Sequence, residues 1–136
     1  MAENQMIIFV DQLGSVINSE ITDKVKKYVN NYLRETDAVL FSELLEQTNE
    51  MLMHIKEIKP NRDSVEYDLI MDEFKLRWKD MNNIVLEARN SRPAPAISDS
   101  DMKMMNKIIS LSRELMGKDL PGDGLIHLLL EVKNHE

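Results

Sequence analysis

The sequence contains no cysteine. Disulfides, thiol nucleophiles and thiolate metal sites are thereby excluded from these 136 residues. A cysteine-free chain of this size suits a reducing compartment, and an intracellular protein is expected. Long apolar runs are missing too. The longest, Met6 to Val10, has five residues, against roughly 20 needed to cross a bilayer. It lacks a basic flank and a small-residue cleavage site, so neither a signal peptide nor a membrane span is expected. Basic charge is in deficit, with 17 Lys and Arg against 24 Asp and Glu, for a net charge of −7. Coating nucleic acid calls for a basic excess, because phosphate neutralisation supplies most of the affinity. Generic nucleic-acid binding is therefore disfavoured. Glycine and proline number only four each, which leaves few places where a helix must stop.

What is abundant is apolar spacing at three and four residues, the mark of amphipathic helices. Asn4 to Ile17 carries Met6, Phe9, Val10, Leu13, Val16 and Ile17 on one side. Ser19 can cap a second helix whose face is Ile21, Val25, Tyr28, Val29, Tyr32 and Leu33. Thr36 or Asp37 is the expected cap of a third, with Phe41, Leu45, Thr48, Leu52 and Ile55 on its seam. Lys59-Pro60 ends it near Ile58, since the residue before proline avoids the α region. Asp63 with Glu66 has capping-box spacing and opens a fourth helix reaching Asn90. Its seam is Tyr67, Ile70, Phe74, Trp78, Met81, Val85 and Ala88.

Pro93 and Pro95 make 91–98 an extended connector. Ser98 or Ser100 starts a fifth helix with Met102, Met105, Ile108, Ile109, Leu111, Leu115 and Met116 on its apolar side, and Gly117 stops it. Leu120 to Gly124 is a turn, and a last helix runs from Leu125 to about Lys133. The expected fold is all-α: a bundle of five to six helices with a long central hairpin (37–58 and 63–90) and a C-terminal helical pair. One domain over 1–136 is expected, with a possible division into a bundle (1–90) and a helical hairpin (99–136).

Chemistry is sparse. His54, His127 and His135 are the only histidines. Glu50 with His54, and His127 with Glu131, sit four apart on one helix face, where a hydrogen bond or a weak metal contact fits. Neither repeats the Glu-x-x-His spacing of di-iron bundles. Asp119 to Gly124 superficially matches a calcium loop, but Pro121 and Leu130 occupy positions that need oxygen ligands. No phosphate loop or nucleophile elbow is present, so no enzyme and no cofactor are expected. Lys24, Lys26 and Lys27 form the one local basic face, and a regulator touching nucleic acid there is the alternative reading.

Length mismatch points toward partners. The fourth helix spans about 42 Å, the third about 33 Å, and the first two about 21 Å each, at 1.5 Å per residue. Short neighbours leave the distal end of the fourth helix uncovered. The expected function is a non-enzymatic protein–protein interaction module that binds partner helices or a second copy. Its expected contact residues are Trp78, Met81, Ile84, Val85, Met102, Met105, Ile109 and Met116. The competing possibility is that the last two helices fold back and bury that end within the chain.

Overall fold

The structure is a computed structural model that describes residues 5–89, 96–118 and 120–134. The connector prolines Pro93 and Pro95, Asp119 of the calcium-loop reading, and His135 lie outside the described residues. Among the described residues there are six α-helices, one 3-10 turn and no strand. The helices are α1 (Gln5–Leu13), α2 (Ser19–Tyr28), α3 (Glu35–Ile58), α4 (Val65–Arg89), α5 (Asp99–Met116) and α6 (Asp123–Asn134), with the 3-10 turn at Val29–Asn31. The chain is an all-helical bundle, as its periodicity predicts.

Helix ends differ from expectation where side chains compete for the same backbone groups. The first helix stops at Leu13 rather than Ile17, at the flexible residue Gly14. Val16 and Ile17 stay buried although the backbone there has left the helix. Asn18, not Ser19, caps α2. Its side chain accepts from Ile21 N–H at 2.9 Å and donates to the Gly14 carbonyl at 2.8 Å, joining the end of α1 to the start of α2. Helix α3 begins at Glu35 with no side-chain cap, so Thr36 and Asp37 lie inside its first turn. There Glu35 and Asp37 offset the exposed N–H dipoles by charge instead. Helix α4 is capped by Ser64 rather than Asp63: the Ser64 hydroxyl accepts from Tyr67 N–H at 3.1 Å. Ser98 caps α5 as read, accepting from Asp101 N–H at 3.2 Å.

Helix α6 is the inner member of the bundle. Leu125, Ile126, Leu128, Leu129, Leu130 and Val132 are all buried, and they cover more than half of its circumference. Such a helix needs neighbours on several sides, and α6 packs on α2, α4 and α5. Trp78 donates its indole N–H to the Pro121 carbonyl (3.2 Å), and the Asn82 side-chain oxygen accepts from Leu125 N–H (3.3 Å). Trp78 and Asn82 are one turn apart on α4, and their partners are four residues apart, so α6 lies along α4 in the same direction. At the other end, Asn134 donates to Asp101 at 2.7 Å, which closes α5 and α6 into an antiparallel pair. Helix α1 covers the remaining side through α3 and α5. Phe9 meets Phe74 edge-on at 5.8 Å and Trp78 at 6.0 Å.

Gly122 makes the α4–α6 approach possible. A Cβ at this position would stand 2.3 Å from the Trp78 ring. Gly122→Ala is therefore expected to overpack the centre and cost about 1–3 kcal/mol. Asn82→Leu removes the acceptor for Leu125 N–H and is expected to cost about 1–3 kcal/mol through the orphaned donor. Urea unfolding followed by the fluorescence of Trp78, the only tryptophan, checks both. Wild-type midpoints in both variants would contradict this account of the α4–α6 contact.

Candidate interaction surface

The eight contact residues expected from sequence fall into two groups. Trp78, Met81, Ile84, Val85, Met105, Ile109 and Met116 are buried, none more than 9 % exposed. Helix α6 lies over the distal part of α4, and α1 and α6 lie over α5. The chain itself covers these apolar faces. Met102, at the start of α5, is the exception, at 41 % exposure.

Other large apolar side chains are exposed among the described residues, Ile8, Val39, Leu40, Met53 and Leu86 among them, and three on α4 lie on one face. Val65, Leu69 and Leu76 are 75 %, 62 % and 59 % exposed. Together with Asp72 they step by four, three and four along α4, so they form one row. Leu76 is two residues from Phe74 and from Trp78, and Leu69 is two from Met71. At about 100° per residue, the row stands nearly opposite the buried face. Helix α4 thus carries two apolar stripes, one inward and one outward. The signal was available: apolar residues off the main seam, recurring at helical spacing.

The row is a ridge between two grooves. On the α3 side, Met51, His54, Leu69, Ile70 and Glu73 line a groove of about 290 Å³. On the α5 side, Asp72, Lys75, Leu76, Lys79, Met116 and Leu120 line one of about 350 Å³. Met116, one of the expected contact residues, is buried yet forms part of that lining. Arg77 of α4 donates to Gln47 of α3 at 3.0 Å, which ties the two helices, and lies 3.6 Å from Glu73 of its own helix. Tyr67 lies at the proximal end of α4. Burial raises its phenol above the ordinary tyrosine range, with Arg62 acting against the shift and Asp68 adding to it.

The basic face is differently placed. Lys24 donates to the Lys133 carbonyl in the last turn of α6 at 2.8 Å. Lys26 pairs with Glu46 of α3, and the hydrogen bond to that carboxylate, with its charge, holds the ammonium above the ordinary lysine range. Two of the three lysines therefore act in helix-to-helix contacts. Of the histidine pairs, His127 and Glu131 share a hydrogen bond at 2.8 Å on the polar strip of α6. Among the described residues no three His, Asp, Glu or Cys side chains come together as a metal site. Nor is any helix among them long and apolar enough to cross a membrane.

The chain matches no protein-family model, and no curated protein or solved structure is significantly similar to it.

Because the outer row touches little of the bundle, its residues are expected to be dispensable for folding. Leu69→Lys and Leu76→Lys should each change unfolding free energy by less than about 0.5 kcal/mol, since exposed substitutions away from caps and networks do so. Met81→Ala, in the core, should cost about 2–5 kcal/mol. Chemical denaturation of the three variants separates the two stripes of α4. Equal losses at Leu69 and Met81 would show that the outer row is structural.

Proposed function

We propose that this chain is a non-enzymatic protein–protein interaction module, an adaptor or small subunit of a larger complex, that works inside the cell by docking a partner helix. One observation carries the reading: the second apolar row of α4, Val65, Leu69 and Leu76, directed away from the core and flanked by two grooves. Isolated exposed leucines are ordinary on a protein surface. Three apolar residues at helical spacing along one face are a different matter, because Val65, Leu69 and Leu76 offer i, i+4 and i+11 positions, with Asp72 between them, to an apolar helix laid beside them. The contact surface proposed is this row with the adjoining rims of Met51, Ile70 and Leu120, and with Met102 as a separate exposed apolar position on α5. The cysteine-free sequence supports the intracellular placement.

Affinity purification from a native extract tests the reading, with wild type compared against Leu69→Asp with Leu76→Asp and against a control substitution at exposed Val39. Wild type and the Val39 variant are expected to recover the same protein, a further copy of this chain included. The double variant should recover about tenfold less, equivalent to some 1.4 kcal/mol. Equal recovery by the double variant, or none by wild type, refutes the module.

A further inference from the structure

We infer that the occupant of this outer face is a second copy of the chain, with the two α4 helices laid antiparallel about a two-fold axis passing close to Glu73. The inference rests on the interaction-module reading and names its partner.

The pattern along α4 is self-complementary. Leu69 and Leu76 stand at nearly equal distances either side of Glu73. An antiparallel copy therefore sets Leu69 beside Leu76 of the second copy, and Leu76 beside its Leu69. This is what a two-fold interface requires, since each contact must occur twice with the roles exchanged. The charges agree. On the flank toward the end of α5, Asp68 and Asp72 come before the midpoint and Lys75 and Lys79 come after it. In the antiparallel arrangement Asp68 faces Lys79 of the second copy, and Asp72 faces its Lys75. Symmetry doubles both pairs. A parallel copy would instead set this flank against Glu66, Glu73 and Asp80 of the second copy, with Asp68 and Asp72 beside like charges. On this flank the charge order suits a second copy laid antiparallel.

The opposite flank holds Glu66, Glu73 and Asp80. Those charges meet their like across the axis and limit the strength of the pairing. Val65 to Leu76 extends only about 16 Å along the helix at 1.5 Å per residue. A contact of that length lies at the small end of specific interfaces, so the dimer is a weak one that forms with concentration.

Sedimentation equilibrium of the whole chain tests this, at low salt and from about 5 µM to about 500 µM, a range that brackets weak association. The weight-average mass is expected to rise from 15.8 kDa toward twice that value. Asp68→Lys alone and Lys79→Glu alone should each weaken association by about tenfold. Asp68→Lys and Lys79→Glu in the same chain exchange the two charges and should restore it. Circular dichroism should show unchanged helicity in all three variants. A wild type that keeps the monomer mass throughout overturns the second-copy proposal, as does a double variant that fails to recover. If that monomer still recovers a different protein through Leu69 and Leu76, the second copy fails and the module stands. If it recovers none, both fail.

Discussion

The burial of α6 is the constraint from which the rest of the architecture follows. Six apolar side chains spread over more than half of a helix cannot be satisfied by one neighbour, because one neighbour covers only a stripe. Each fully buried Leu, Ile or Val contributes about 1.5–3 kcal/mol relative to water. A C-terminal segment left outside would forgo most of that. So α6 must enter the bundle, and α2, α4 and α5 must surround it. Gly122 is the detail that permits the entry, since the Trp78 ring fills the space a side chain would need. The polar groups brought inside are matched as well: the indole N–H meets a carbonyl, and Asn82 meets a free N–H of the first turn of α6. Buried polar groups without such partners would cost about as much as the apolar contacts gain.

This burial also explains how far the sequence could be read. The helices were legible because each has a period of three and four with an identifiable seam, and the core residues of α3 fall on the predicted positions Phe41, Leu45, Thr48, Leu52 and Ile55. Helix ends were less legible. Asn18 and Ser64 won the caps from neighbours of similar chemistry, and only the backbone path decides between adjacent candidates. The contact surface was least legible of all. Trp78, Met81 and Val85 had to be buried by something, but hydrophobicity is non-directional and does not say by what. Length mismatch suggested a partner. Helix α6, which runs beside α4 and covers its distal end, does that work within the chain. Leu69 and Leu76 sat off the seam in plain sight, and their meaning depended on knowing that the bundle leaves them mostly exposed.

Two forces would act on the proposed pairing of this chain with itself, and their ranges decide between them. The net charge of −7 repels a second copy at a distance. At physiological ionic strength that repulsion is screened beyond about 8 Å, well short of the separation between two bundle centres. At the contact itself only nearby charges count, and there the order of two aspartates followed by two lysines sets opposite charges together when the helices run in opposite directions. The acidic flank beside α3 acts at the same short range and in the opposite sense, so the balance of the two flanks, rather than the charge of the whole protein, governs the strength of association. The leucines between them supply attraction without direction. In the proposed pairing the charge order on the α5 side favours an antiparallel copy, and it is that order, not the apolar row alone, that would set a surface suited to its own copy apart from one open to any apolar helix.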